Sequence, residues 1–389
     1  ALTAGSVSAA EKIKLNVGGY LQTSFVVADY DTNTDQLPTN IRHEGEVHFT
    51  GKTTLDNGLE FGVNIQLEAR ESGDQVDETF MYVEGAFGRV NMGSENSASY
   101  LMGYGSPSPV PAWGLNSPNA NAGGFTTPST YTNGISDADK LTYFTPRMGG
   151  FQIGASYTPD ADSETSGGSV YSPISDEGAA DEAYSIAANY TGKFGGVSVN
   201  ASAGWENTQR TDTTATAITT RTTTYGGGGT LTETFSVGST TLLTSVLAGA
   251  TTGTIASIAE ATAAAVTTSN ENTDEISIGG NIGVAGFTIG GAYKFTDNDG
   301  GTADLERHDY NLGVSYGQGP WKVGVQYAGV ELDDASDGQL HAFMLGGQYV
   351  LGPGVTAFGG VQFWDGEDDL SGSEGDDATI FFLGTSLSF

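Results

Sequence analysis

The chain is dominated by stretches in which apolar and polar residues alternate one by one. Residues 59–70 show the pattern most clearly. Their apolar positions are Leu59, Phe61, Val63, Ile65 and Leu67, and their polar positions are Glu60, Asn64, Gln66, Glu68 and Arg70. Successive side chains of a β-strand point to opposite faces, so this stretch predicts a strand with one apolar and one polar side. Asp56-Asn57-Gly58 precedes it and predicts a tight hairpin turn, because Asn and Gly accept positive φ.

Read along the whole chain, the alternation predicts about sixteen strands of roughly ten residues, a typical length for a strand that crosses a membrane. Tight turns and long acidic loops follow one another in regular order. The tight turns are predicted at 56–58, 85–88, 146–149, 193–196, 285–286, 318–320 and 352–354. This asymmetry predicts an all-β fold, a transmembrane antiparallel β-barrel with both chain termini on the tight-turn side.

A soluble β-sandwich or barrel would alternate in the same way, since one face of each strand would be buried in its core. Sixteen strands, however, enclose an aqueous lumen rather than a core filled with side chains. The polar faces also carry many charges, which need water on that side. The alternation therefore favours the membrane barrel, and residues 1–389 are interpreted as a single barrel.

Two segments interrupt the alternation. Residues 93–140 are rich in Gly, Pro, Ser and Asn but include aromatic residues such as Tyr104 and Trp113. They predict a long loop folded into the lumen, where it narrows the passage; a mobile surface loop is the alternative. Residues 208–272 predict an extracellular insertion with a short helix or an extra hairpin, because IASIAEATAAAV (255–266) has helical composition. A flexible low-complexity linker is the alternative there.

Composition narrows the function. The 389 residues carry a formal net charge of −33, which argues against nucleic-acid partners. No apolar run approaches the length of a membrane-spanning helix. The chain has no Cys, and its four His lie on predicted strands without a catalytic motif. We therefore expect no enzyme activity and no required cofactor. These histidines are His43, His48, His308 and His341.

Charged residues on the first three predicted strands suggest a constriction. Alternation points the basic residues inward, and acidic residues share the same wall; the long loop would place further carboxylates opposite them. The resulting transverse field would order water and bias ion selectivity. Local pairs such as Arg42 with Glu44, which would only stiffen the wall, are the alternative. The basic set is Lys14, Arg42, Lys52 and Arg70; the wall carboxylates are Glu44, Glu46, Glu60 and Glu68; the opposing carboxylates are Glu95, Asp137 and Asp139.

Two acidic clusters in the long loops are candidate calcium sites, because hard cations prefer several oxygen ligands. Their spacing fits no dedicated calcium-binding loop. The candidate ligands are Asp297, Asp299, Glu367, Asp368 and Asp369.

Several segments carry a family resemblance: EVHFTGKTTLDNGLEFG (46–62), DETFMYVEGAFGRVNMGSENSASYLM (77–102), LTYFTPRMGGFQIGASYTPD (141–160), YVLGPGV (349–355) and the terminal SLSF (386–389). The chain resembles the general porins of Gram-negative bacteria, most closely the alphaproteobacterial, Rhodobacter-type group. The insertion at 208–272 departs from that pattern. The resemblance implies a homotrimer of sixteen-stranded barrels in the bacterial outer membrane, each with its third long loop folded inward. Lipid and lipopolysaccharide would surround it.

The function expected from these features is a water-filled channel for passive diffusion of ions and small hydrophilic solutes. The acidic long loops favour a mild preference for cations, since fields of this kind concentrate counter-ions at an entrance. The alternative is a surface or adhesive barrel protein that transports nothing and uses its long insertion.

Overall fold

The computed structural model describes most of the chain. The described residues are 12–31, 37–69, 75–116, 125–161, 182–209, 213–215, 218–225, 230–236, 242–248, 255–263, 266–268, 272–298, 305–333, 338–367 and 377–389. Among them, no helix is both long and apolar enough to cross a membrane.

Sixteen antiparallel strands close into one barrel, as the alternation predicted. Each strand pairs with its neighbours in chain order, except that β9 pairs with β16, and β22 closes the barrel against β1. The barrel strands are β1 (Lys14–Tyr30), β2 (Thr39–Thr54), β3 (Glu60–Glu68), β4 (Val76–Gly85), β5 (Gly88–Ser94), β6 (Asp139–Phe144), β7 (Phe151–Thr158), β8 (Ala183–Phe194), β9 (Val197–Thr208), β16 (Thr273–Val284), β17 (Phe287–Asn298), β18 (Leu305–Gln318), β19 (Trp321–Asp333), β20 (Gln339–Gly352), β21 (Val355–Glu367) and β22 (Ala378–Ser388).

The closing pair brings the two ends of the chain together. Gly19 and Phe389 exchange two backbone hydrogen bonds of 3.0 Å each, and Ser388 donates to the carbonyl of Gly354, in the turn before β21. Lys14 pairs with Lys52, close to the turn that joins β2 to β3. The first barrel strand therefore begins, and the last one ends, at the end of the barrel that carries the tight turns, which we call the tight-turn end. We call the other end the long-loop end.

The outward face of the barrel is apolar and exposed. Leu15 is 64% exposed, Leu312 is 63% exposed and Leu383 is 71% exposed. Aromatic pairs collect near the strand ends, as membrane-interface girdles require. At the tight-turn end these pairs are Phe151–Tyr190, Phe287–Tyr316 and Trp321–Tyr349. Such a face suits lipid rather than water, so the fold agrees with the predicted transmembrane barrel.

Residues 211–271, inserted between β9 and β16, form a compact unit of their own. It contains a four-stranded sheet in the order β13-β12-β11-β14 and a two-stranded sheet of β10 and β15. The strands are β10 (Thr213–Ala215), β11 (Ile218–Tyr225), β12 (Thr230–Ser236), β13 (Leu242–Ala248), β14 (Ile255–Ala263) and β15 (Val266–Thr268). Its extracellular location stays a prediction.

Of the two structures predicted for this insertion, the short helix is not found in its described residues, whereas the extra hairpin agrees with them, because β11 pairs antiparallel with β12. IASIAEATAAAV falls on β14 and β15, and β14 pairs along its length with the Thr-rich β11. Helix propensity is a weak preference, because each residue contributes at most a fraction of a kilocalorie per mole. Pairing with a β-branched neighbouring strand outweighs it here.

Candidate pore constriction

The loop between β5 and β6 lies inside the barrel. It begins with a single helical turn, α1 (Ala98–Leu101), capped by the Ser97 hydroxyl, which accepts from the amide of Tyr100. Further along, the amide of Ser106 donates to Asn311 Oδ1 at 2.8 Å, and the amide of Leu115 donates to Gln326 Oε1 at 3.1 Å. These contacts reach strands on the far side of the barrel. The predicted inward-folded loop is thereby confirmed, and the strand residues that it contacts define the lumen face of each strand.

An apolar anchor holds the middle of the loop to β1 and β22. The Trp113 side chain is fully buried and stacks on Phe382, with ring centroids 4.6 Å apart and planes 5° from parallel. Its indole Nε1 donates to Ser24 Oγ at 3.0 Å, and its carbonyl accepts from Gln362 Nε2 at 2.8 Å. Phe125 stacks on Trp364 in the same cluster. Because the indole ring of Trp113 is stacked and its Nε1 and carbonyl are hydrogen-bonded, this contact fixes the loop in position.

Three buried carboxylates hold the returning arm of the loop. Glu206 Oε1 accepts from the amide of Ile135 at 3.0 Å. Glu275 Oε2 accepts from the amides of Asn133 and Gly134 at 2.7 and 2.8 Å. Asp309 Oδ1 accepts from the amide of Ser129 at 3.0 Å.

Two cations balance this cluster. Lys294 Nζ lies 2.7 Å from Glu275 Oε1 and 3.9 Å from Asp309 Oδ2, and Arg307 makes two hydrogen bonds to Asp309. Arg307 also donates to the carbonyl of Thr127. Charge-assisted hydrogen bonds are stronger than neutral ones, so these carboxylates bind the returning arm of the loop strongly to β9 and β16–β18.

The wall from β3 to β8 stays open beside the loop. A space of about 760 Å³ separates the loop residues Leu101, Met102 and Tyr104 from lumen residues of these strands. Polar side chains dominate that wall, including Asn64, Gln66, Glu78, Arg89, Gln152 and Asn189. A polar, open space beside a fixed loop suits the diffusion of hydrated solutes.

The predicted basic residues do not form one cluster. Lys14 and Lys52 lie directly opposite each other near the tight-turn end, and Lys52 pairs with Glu60 at 3.1 Å. Arg42 pairs with Ser24 in the ladder, ten residues further along β2 and toward the long-loop end. Arg70 lies outside the described residues. Alternation shows which face of the sheet a residue occupies but not its height along the barrel axis. The predicted cluster therefore combined Lys14 and Lys52 at one height with Arg42 at another.

The wall carboxylates share the lumen face with Ser24 through the ladder of β1, β2 and β3. Glu46 pairs with Tyr20 on one side and with Glu68 on the other. The Tyr20 hydroxyl donates to Glu44 at 2.5 Å and to Glu46 at 2.8 Å. A neutral hydroxyl group therefore orients these two carboxylates.

The loop carboxylates lie around Lys140 instead of facing the basic wall. Lys140 donates to the carbonyls of Glu95, Ser136 and Ala138, and the carboxylates of Glu95 and Asp137 act on its charge. Burial raises the pKa of Glu95 to about 7, although Asn91 donates a hydrogen bond to it at 2.9 Å. The predicted transverse arrangement is thus replaced by a local ionic group.

Asp139 also departs from its predicted place. It pairs with Ser94 in the ladder between β5 and β6. The adjacent pair in that ladder, Gly93 with Lys140, lies on the lumen register. Since successive residues of a strand point to opposite faces, Asp139 lies on the outward register with Leu141.

The calcium candidates fall mostly outside the described residues: Asp299, Asp368 and Asp369 lie there, as does the side chain of Glu367. Asp297 lies on β17, between Asp274 and Glu306 in the ladder. Among the described residues, the acidic group close enough to share a cation is a different one, Glu46, Glu68 and Asp77, whose oxygens lie within 4.8 Å of one another. Calcium binding stays a prediction.

The residues that hold the loop were missed by the sequence reasoning. Alternation places Gln326, Gln362 and Glu206 on lumen faces. A polar residue in the middle of a strand is the sequence signal that its side chain faces the lumen. Their partners in the loop are 71 to 249 positions away, as for Ile135 with Glu206 and Trp113 with Gln362. Strand periodicity carries no information about such distant pairs.

A family model described as Gram-negative porin matches residues 1–259 and 244–369. A search of curated proteins found no match.

Solved structures of similar fold cover almost the whole chain. OmpT, an outer membrane protein of Vibrio cholerae, is 12% identical with a TM-score of 0.60, and the match covers 99% of this chain and 100% of that one. An anion-selective porin from Comamonas acidovorans is 17% identical with a TM-score of 0.55, covering 97% and 100%. A variant of Rh. blastica porin is 15% identical with a TM-score of 0.51, covering 97% and 100%. At these identities the likeness concerns the fold alone.

Proposed function

Because the chain belongs to the Gram-negative porin family, and therefore forms a β-barrel channel of the bacterial outer membrane, we propose that it is a passive diffusion pore for ions and small hydrophilic solutes. The observation that carries this proposal is the open space of about 760 Å³, lined by many polar side chains, between the anchored loop and the wall of β3–β8. The long-loop end then faces the exterior and the tight-turn end faces the periplasm.

The preferred ions are proposed to be cations. Between the heights of Arg42 and Lys52, Glu44 and Glu46 lie on the lumen face of β2, and Glu78 lies on the adjoining open wall. Their partners include neutral donors: Tyr20 for Glu44 and Glu46, and Gln66 and Asn96 for Glu78. A neutral hydrogen bond orients a carboxylate without cancelling its charge, so this stretch attracts cations. The net charge of −33 acts in the same direction at the outer mouth.

Reversal potentials in a KCl gradient test this preference. We expect a sign that corresponds to cation flow, larger at low salt, because screening shortens from about 10 Å at 0.1 M to about 3 Å at 1 M. Replacing Glu46 and Glu78 by Gln should reduce the preference. Glu306→Gln, an acidic residue beyond the constriction at the long-loop end of β18, is the matched control. Anion selectivity at both salt concentrations would contradict the proposal.

A trimer is proposed as the assembled form, with β1, β2 and β22 facing the three-fold axis and lipid and lipopolysaccharide around the outside. The outward register of β1 and β2 carries the small residues Gly19, Gly45 and Gly51, which allow close approach. Migration of unheated and heated protein in a denaturing gel tests this, since a porin-like trimer dissociates only on heating.

A non-transporting adhesive barrel remains the alternative, based on the inserted unit at 211–271. Planar-bilayer recording separates the two functions, because an adhesive barrel with a blocked lumen would give no stepwise conductance.

A further inference from the structure

The lumen-facing charges are sorted along the barrel axis. Five basic residues occupy the lumen register at the tight-turn end, each within a few residues of a tight turn. We call them the basic rim: Lys14, Lys52, Arg89, Lys193 and Lys322. They come from β1, β2, β5, β8 and β19, so four of them lie in the half of the barrel from β1 to β8 and the fifth lies in the other half.

Each member is assigned to the lumen by its register. Lys14 shares the parity of Ser24, which binds the loop through Trp113. Lys52 pairs with Lys14, and Arg89 pairs with Glu84. The last two members follow from loop contacts: Lys193 shares the parity of Asn189, which donates to the carbonyl of Met102, and Lys322 shares the parity of Gln326, which accepts from Leu115.

Counter-charges on the same rim are fewer. Glu60 lies 3.1 Å from Lys52, and Glu84 lies 3.9 Å from Arg89. Ion pairs with such exposed side chains contribute little and are screened by salt. Among the strand residues that the structure describes, the lumen register of this mouth therefore carries five positive charges against these two negative ones.

The opposite mouth has the opposite sign. The described residues at the strand ends of the long-loop end include many carboxylates: Asp29, Asp31, Asp77, Asp160, Glu182, Asp274, Asp297, Glu306, Asp333, Asp365 and Asp377. They outnumber the described basic residues within a few positions of that end, which are Arg42, Lys140, Lys294 and Arg307. A positive periplasmic mouth thus faces a strongly negative outer mouth.

The distance between the mouths keeps the two fields separate. Arg42 and Lys52 lie ten residues apart on β2, which corresponds to about 33 Å along the strand. Strands in such barrels tilt by about 40°, which leaves about 25 Å along the axis. This exceeds twice the screening length of about 10 Å at 0.1 M, so neither mouth cancels the other.

We propose that this charge separation makes the pore rectify current, with the basic rim as the determinant. The proposal rests on the channel function proposed above. When the outer side is positive, cations enter through the negative mouth and anions enter through the positive mouth. Both then accumulate in the lumen, and the conductance rises. With the opposite polarity both mouths repel the ions driven toward them, the lumen is depleted, and the conductance falls.

Recording from oriented channels at equal and opposite voltages tests this. Orientation can be read from Asn57→Cys in the β2–β3 turn, because the chain has no other Cys and an impermeant thiol reagent reaches it from one side. We expect a larger current when the long-loop side is positive, at 0.1 M KCl, and a ratio close to one at 1 M, where screening falls to about 3 Å. Equal currents at both polarities in 0.1 M KCl would overturn the inference.

Charge variants test the assignment to the basic rim. The triple variant Lys14→Gln, Lys193→Gln and Lys322→Gln leaves Lys52 and Arg89 in place beside Glu60 and Glu84, and it should bring the current ratio close to one at 0.1 M. Lys193→Glu should also lower the ratio. The matched control Arg221→Glu has the same change in charge on β11 of the inserted unit, and it should leave the ratio unchanged. An unchanged ratio in the triple variant would exclude the basic rim as the cause.

The two proposals fail in different ways. Absence of any stepwise conductance would contradict the diffusion pore itself. Clear conductance steps with equal currents at both polarities would contradict rectification and leave the diffusion pore intact.

Discussion

Replacing Trp113 by Ala should detach the middle of the constriction loop without opening the barrel. Trp113 is 0% exposed and is held by a ring stack on Phe382, a hydrogen bond to Ser24 and one from Gln362. The variant loses the stack and the indole hydrogen bond but keeps the backbone carbonyl. The strand ladder of the barrel does not involve these groups, so the effect should fall on the loop.

The expected magnitude follows from burial. Truncating a fully buried Trp to Ala costs about 3–5 kcal/mol, of which the aromatic stack supplies about 0.5–1.5 kcal/mol. Each 1.4 kcal/mol is a factor of ten, so the equilibrium between attached and detached loop should shift by a factor of about 100 to 4,000. Detachment frees the loop from β1 and β22 and lets it move toward the open wall of β3–β8.

Single-channel recording measures this effect. The variant should show frequent brief current interruptions and greater open-channel noise than the unmodified protein, while its barrel content by circular dichroism stays the same. Trp321→Ala is the matched control, because that side chain is 59% exposed on the outward face. Recordings of Trp113→Ala that match the unmodified protein in noise and conductance would refute the anchoring role.

Three further predictions concern other parts of the molecule. Glu275→Gln removes the carboxylate that lies 2.7 Å from the buried Lys294 ammonium, which should cost about 3–5 kcal/mol of folding stability. The thermal unfolding temperature in detergent should therefore fall, whereas the control Glu306→Gln should leave it unchanged. An unchanged temperature in Glu275→Gln would contradict the role of this cluster. Burial raises the pKa of Glu95 from 4.5 to about 7. Protonated Glu95 therefore stabilises the fold fully below pH 4.5, and this stabilisation is lost as the pH rises to about 7. Over that range the unfolding temperature should fall more in the unmodified protein than in Glu95→Gln. If the unfolding temperatures of the two proteins change in parallel with pH, the raised pKa is contradicted. A bismaleimide should link Leu21→Cys between subunits but not Leu312→Cys on the outward face of β18, and the reverse result would place the subunit contact elsewhere.

The barrel could be predicted from sequence because its determinants are local. Alternation over 59–70 sets the faces of one strand, and Asp56-Asn57-Gly58 sets the turn before it. Neighbouring strands in the chain are neighbours in the barrel, so local rules suffice for nearly the whole ladder. The exception is the β9–β16 pair, where the inserted unit separates two adjacent strands.

The constriction could not be predicted to the same extent, because it depends on contacts between distant positions. Alternation assigned Arg42 and Lys52 to one face but could not separate their heights. The partners of Glu95 and Asp137 depend on how the loop turns back toward β6. That turn places the Lys140 ammonium close to Glu95 and Asp137. The helical composition of residues 255–266 failed for a similar reason, since pairing with β11 decided the structure.

The most direct test of the account is the current through single channels in a planar bilayer, with the reversal potential measured under a KCl gradient. We expect stepwise openings, because a polar space stays open beside the anchored loop. We also expect a reversal potential of the sign given by cation flow, because Glu78 lines that space and Glu44 and Glu46 lie on the lumen face of the neighbouring strand β2. A protein that inserts as a folded barrel but gives no steps would contradict the central claim.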